Sequence, residues 1–140
     1  MKDTEYSIGD HPSDLELSVR GRTLPELFAE AARAVIDYTG PPPATGPARR
    51  RSVDLSAADR EELLVVWLNE IVYLLEIGFS PVLPVRINRL TDCELQASLE
   101  GGKLDPQIPF SGPEIKAATY HQLSIRKIDN RWTARVILDL

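Results

Sequence analysis

The chain has 140 residues, which suits one domain of roughly 100–200 residues with a core that needs no covalent staples. Apolar residues make up 43% and charged residues 26%, values that exclude disordered, collagen-like and coiled-coil chains. Sixteen basic and 21 acidic residues leave a net charge of −5; avid non-specific nucleic-acid binding needs the opposite sign, so only a local basic patch stays open.

The single cysteine, Cys93, excludes an internal disulfide and any multi-cysteine zinc site, and it fits a reducing compartment. The longest apolar run, Leu63 to Leu75, carries Asn69 and Glu70 and falls short of the roughly 20 residues of a membrane helix. The first residues are too charged for a signal-peptide core. The expectation is a cytoplasmic protein with no membrane association.

Residues 4–8 alternate weakly, as in a short strand, before the turn-rich Gly9-Asp10-His11-Pro12-Ser13. Leu15, Leu17 and Val19 then alternate with Glu16, Ser18 and Arg20, the period of a half-buried strand. Thr23 and Glu26 have the spacing of a capping box, with Pro25 harmless in the first turn. Leu24, Leu27, Phe28, Ala31 and Val35 give the helix that follows one apolar face, and it should end near Tyr38, before Gly40. The proline cluster 40–47 is incompatible with helix or ladder strand and predicts an extended connection. Arg49, Arg50 and Arg51 lead into a strand around Val53 and Leu55.

Ser56, with Asp59 three positions on, predicts the start of a second helix. Its broad apolar arc, Leu63, Leu64, Trp67, Leu68, Ile71, Leu74 and Leu75, makes it central, and Gly78 stops it. Strands are expected over 82–87 and 93–99, a long loop over 101–113, and two last strands over 120–126 and 132–138 joined at Asp129-Asn130. Two helices and about six strands, mostly late, predict an α+β fold: one domain over 1–140 in which two helices pack on a mixed, mostly antiparallel sheet.

There is no dinucleotide fingerprint, Walker loop, zincin motif, EF-hand loop or nucleophile elbow. Three segments can carry chemistry. In Asp10-His11-Pro12-Ser13-Asp14 a carboxylate at the mouth of a strand can ligate a metal or orient a histidine, or simply bond to nearby amides in a turn. At the other end, Asp139 and the carboxylate of Leu140 are one residue apart. Such oxygen anions repel unless a hard cation such as calcium or magnesium sits between them, or water screens them. In Glu114-Ile115-Lys116-Ala117-Ala118-Thr119-Tyr120-His121 the lysine can anchor a phosphate or a carboxylate, or be a solvated strand residue. His121 reads as structural, Trp67, Trp132 and Phe28 as core, and Arg49–Arg51 as a solvated run or as phosphate contacts.

In order along nearly the whole chain, these segments resemble the archease family. The resemblance rests on Tyr6, His11 and Asp14; on Gly21, Thr23, Leu24, Glu26, Leu27 and Phe28; on Leu63, Leu64, Trp67, Leu68, Asn69 and Glu70; on residues 114–121; and on Val136-Ile137-Leu138-Asp139-Leu140. The sequence departs from the family at Pro12-Ser13, where many members read Thr-Ala, and in 40–47 and 101–113.

The resemblance implies a non-catalytic cofactor of RtcB-type RNA ligases in tRNA splicing and RNA repair. Such a cofactor promotes guanylylation of the ligase by GTP and multiple turnover. It also implies a divalent-cation site, for calcium or a similar ion, at Asp14, Asp139 and the carboxylate of Leu140. Lys116 and His11 are implied as contacts to partner or nucleotide. Strong direct nucleic-acid binding is not expected. A stand-alone metal-dependent phosphoesterase and a chaperone-like interaction module without a metal are the alternatives.

Overall fold

A computed structural model describes residues 4–10 and 13–140. In chain order the elements are β1 (Glu5–Asp10), β2 (Asp14–Gly21), α1 (Leu24–Thr39), β3 (Thr45–Ser56), α2 (Arg60–Glu76), β4 (Phe79–Pro81), β5 (Arg86–Leu90), β6 (Glu94–Lys103), β7 (Ala117–Ile128) and β8 (Arg131–Asp139). Every pairing among the described residues is antiparallel, and the strands form two sheets where one was expected. The first runs β1-β2-β8-β7. In the second, β6 is central, with β3 along one edge and β4 and β5 sharing the other. Both helices touch both sheets, so one core fills the space between them.

The alternation read in β2 is the one that folds it. Leu15, Leu17 and Val19 are buried, and on β8 Ala134, Val136 and Leu138 are buried beside them. Trp67 of α2 is wholly buried and donates its indole N–H to the Phe28 carbonyl of α1 at 2.8 Å, which joins the two helices at the centre of the core. Among the described residues no helix is long and apolar enough to cross a membrane.

The helix ends refine the sequence reading. Thr23 caps α1 by accepting from the Glu26 amide at 3.2 Å, but Glu26 reaches back to the amide of Arg22 rather than to that of Thr23. Gly40, at φ +61°, closes the helix with its N–H on the Ile36 carbonyl. Helix α2 starts later than Ser56 suggests: Ser56 ends β3, and Asp59 is the cap, accepting from the Glu62 amide at 2.8 Å.

Four strand boundaries also differ. β3 begins at Thr45, inside the proline cluster, because an irregularity between Thr45 and Arg49 accommodates Pro47 on an edge strand. The strand expected over 82–87 is two short strands, with Val82 and Leu83 between them. β6 continues to Lys103, so the long loop covers 104–116. β7 is interrupted: Thr119 faces Ile137 and Ser124 faces Arg135, which leaves residues 120–123 opposite Val136 alone.

Replacing Trp67 removes the largest buried side chain and the bond to Phe28. Trp67→Ala should cost about 3–5 kcal/mol in urea unfolding. A loss under about 1 kcal/mol would mean the helices are joined elsewhere.

Candidate functional site

The pairing of β2 with β8 places Asp14 directly opposite Asp139, and the pairing of β8 with β7 places Ala117 on the other side of Asp139. Two main-chain bonds extend this row. The Lys116 amide donates to the Asp139 carbonyl at 2.8 Å, and the Leu140 amide donates to the Ser13 carbonyl at 3.3 Å. Asp14, Lys116, Asp139 and Leu140, drawn from three distant segments, therefore meet at one end of the first sheet. His11 lies outside the described residues.

Side-chain direction follows from the alternation. With Leu15 and Leu138 turned into the core, Asp14 and Asp139 project from the opposite face. Asp14 is half-buried and Asp139 exposed. Cβ atoms of directly opposed residues lie about 4.5–5.5 Å apart, a spacing at which like charges destabilise the pair. Further along this face the carboxylate of Glu16 meets an arginine, Arg135, at 2.8 Å.

The donor set suits a hard cation without enclosing one. Among the described residues there is no group of three or more His, Cys, Asp or Glu side chains placed to hold a metal ion. Asp14 and Asp139 supply two carboxylates. Calcium takes six to eight oxygens, so the two side chains alone would not enclose one.

Lys116 lines a groove of about 430 Å³ with Thr39, Glu76, Phe110 and Glu114. The long loop forms one wall and is latched to the end of α1. Ser111 donates its amide to the Gly40 carbonyl at 2.9 Å, and Gly112 donates to the Thr39 carbonyl at 3.1 Å. A Cβ at Gly112 would fall 2.0 Å from the Tyr38 carbonyl oxygen, so this approach requires glycine. On the other side Asn69 of α2 clamps Ala118: its Oδ1 accepts from the Ala118 amide at 2.7 Å and its Nδ2 donates to the Ala118 carbonyl at 3.3 Å. Asn69, one of the polar interruptions of the apolar run, thus fixes the strand two residues after Lys116.

His121 is not in the core. It sits with Tyr120 on the exposed irregular stretch of β7, where Gln122 adopts φ +53° and accepts from Arg135 at 2.9 Å.

A second network was not anticipated. Arg33 of α1 forks onto Glu30 at 2.8 and 2.6 Å, reaches Asp37 at 3.2 Å, and lies over the Tyr6 ring at 5.2 Å. The Tyr6 hydroxyl donates to Asp37 at 3.2 Å. Glu30 is buried, and its hydrogen bond holds the Arg33 guanidinium still more firmly protonated than usual. The network ties β1, and with it the hairpin that leads to Asp14, onto α1. Its trace in the sequence is the spacing of Glu30, Arg33 and Asp37, which shares one helix face.

The family model for the Archease protein family matches residues 6–140. The chain belongs to the archease family. An archease of Methanosarcina barkeri is 32% identical, with 97% of this chain and 96% of that protein covered. The archease of Archaeoglobus fulgidus is 31% identical over 97% and 99% of the two chains. The solution structure of a Methanobacterium thermoautotrophicum protein superposes with a TM-score of 0.72 at 27% identity, covering all of both chains. The crystal structure of an archease from Thermotoga maritima shares the fold, with a TM-score of 0.71 at 23% identity over 94% of each chain. The resemblance read from the motifs is thus a family relationship, and the archease fold is the two-helix, antiparallel α+β fold described above.

The Tyr6 hydroxyl is held protonated, its pKa raised first by burial and then by the charge of Asp37. A raised value in the fold gives stability that is complete below the ordinary tyrosine value of 10.0 and is lost as pH rises through the folded-state value. Unfolding free energy should fall above pH 10.0, and Tyr6→Phe should flatten that fall. Identical slopes for the two proteins would remove Tyr6 from the network.

Proposed function

We propose that this archease-family protein is a non-catalytic activator of an RtcB-type RNA ligase. In this reading the end of the first sheet, built around Asp14 and Asp139, docks at the ligase's active site and promotes guanylylation by GTP. The supporting observation is the register that sets Asp14 against Asp139 with Lys116 and Leu140 at their flanks. A pair of opposed carboxylates weakens the ladder it belongs to, so its presence points to a use for concentrated negative charge.

Asp14, Asp139 and the main-chain carboxylate of Leu140 would hold a calcium-like cation. When bound, such an ion offsets their charge and offers open positions to phosphate oxygens. Lys116 would meet a phosphate or a carboxylate of the ligase–nucleotide complex as a mobile point charge. Asn69 fixes β7 to α2, and the Lys116 amide ties the start of β7 to Asp139.

The test is guanylylation of a purified RtcB-type ligase by GTP, followed as the labelled ligase. The intact protein should raise the guanylylated fraction. Asp14→Ala, Asp139→Ala and removal of Leu140 should each weaken the stimulation about tenfold or more, the size of one charge-assisted hydrogen bond. Full stimulation by both aspartate variants would overturn the acidic-end mechanism, and no stimulation by the intact protein would overturn the activator reading.

A further inference from the structure

The three arginines of the run 49–51 are all exposed. Alternation along β3 splits the run. Arg50 lies opposite Glu100 on the outer face and pairs with it at 3.3 Å. Arg49 and Arg51 share the parity of buried Val53 and lie opposite Gly101 and Leu99, on the exposed end of that face. Lys103 of β6 has the same parity as Leu99 and Gly101. Together with Ile77, Gly78, Phe79 and Gly102, and with Arg50 at its rim, these residues line a trough of about 350 Å³ at the end of α2.

Three features make the trough a site. The first is charge. Among the described residues no carboxylate forms an ion pair with Arg49, Arg51 or Lys103. Helix α2 ends at the trough with no basic residue in its own last turn, and its terminal partial charge offsets part of the positive charge. A helix end carries only about −0.5 charge, against three full positive charges. The excess remains and attracts anions, most strongly at low salt.

The second is rigidity. The Arg51 guanidinium rests over the ring of buried Phe79 at 5.9 Å, and that ring sits against Gly101, where a Cβ would meet it at 2.9 Å. One cation is therefore held on a fixed apolar floor. The third is spacing. Residues two apart on one strand face are about 6.6 Å apart, close to the repeat between phosphates of an extended single nucleic-acid strand. A compact phosphate would engage one arginine fork; a phosphodiester chain engages successive ones along the strand.

We propose that the trough formed by Arg49, Arg51 and Lys103 binds the backbone of a single-stranded nucleic acid. This rests on the trough alone and not on the activator reading. The net charge of −5 keeps binding weak and local, with a dissociation constant of about 10⁻⁴–10⁻⁶ M. Ile77 and Gly78 directly follow Glu76, which lines the Lys116 groove, so the trough and the groove adjoin at the end of α2.

The test is fluorescence anisotropy with a labelled oligouridylate of about 12 nucleotides at several salt concentrations. Saturable binding is expected, with a log–log salt slope near −2, from about 0.7 for each of three phosphate contacts. Arg49→Gln with Arg51→Gln and Lys103→Gln should weaken binding at least about tenfold at low salt and flatten the slope. A control with the same charge loss outside the trough, Arg22→Gln with Arg126→Gln and Lys127→Gln, should bind as the parent does. Circular dichroism confirms that both triple variants fold. No saturable binding, or equal losses in the two triple variants, overturns the proposal. Equal affinity for a poly-glutamate peptide would assign the trough to acidic protein segments, and displacement of the strand by equimolar pyrophosphate would assign it to free phosphates; either result also overturns the proposal.

Discussion

The register between β2 and β8 is the constraint on which the rest depends. Side chains alternate with a period of two, so a slip by one residue would turn Leu15, Leu17 and Val19 out of the core. Each such side chain is worth about 1.5–3 kcal/mol when buried. The same register puts Asp14 opposite Asp139, a pairing of like charges that by itself costs roughly 0.2–1 kcal/mol. The core term exceeds the repulsion several times over, so the carboxylates are held together by residues that never touch them. Their position is a consequence of packing, and it survives any change at the site that leaves the core intact.

Around that ladder the remaining elements serve as fasteners. The Arg33 network holds β1 to α1, Asn69 holds β7 to α2, and Ser111 with Gly112 holds the long loop to the end of α1. The last turn of α2 separates two surfaces of different character. On one side lies the groove with Lys116, Glu76 and Glu114, next to the acidic pair. On the other lies the trough with Arg49, Arg51 and Lys103. A small acidic protein thus concentrates charge of both signs near one helix end, an arrangement that its net charge alone conceals.

Local signals carried much of the fold. Leu15 to Val19, the Thr23 cap, the stop at Gly40 and the apolar arc of α2 are all determined within a few residues, and each was legible. Ser56 misled because Asp59 offers an equally good cap and tertiary pairing with Glu94 keeps Ser56 in its strand. The start of β3 at Thr45 and the irregular stretch 120–123 depend on pairing with distant strands, which no local pattern encodes. The division into two sheets is likewise a tertiary choice. For the site, motif order singled out Asp14, Lys116, Asp139 and Leu140, and the strand pairings bring them together. Their juxtaposition could not be read from spacing, because they belong to segments more than a hundred residues apart at the extremes.

In our proposal the opposed carboxylates are a place for a cation. A double-mutant cycle on unfolding free energy, with Asp14→Asn, Asp139→Asn and the pair, tests it most directly when run once in chelator and once in excess calcium. In chelator the coupling should be repulsive, about 0.2–1 kcal/mol. In calcium at roughly a hundred times its dissociation constant it should reverse and become favourable, approaching the about 2.7 kcal/mol that such occupancy provides. A coupling that keeps the same sign and size in both conditions would contradict the account.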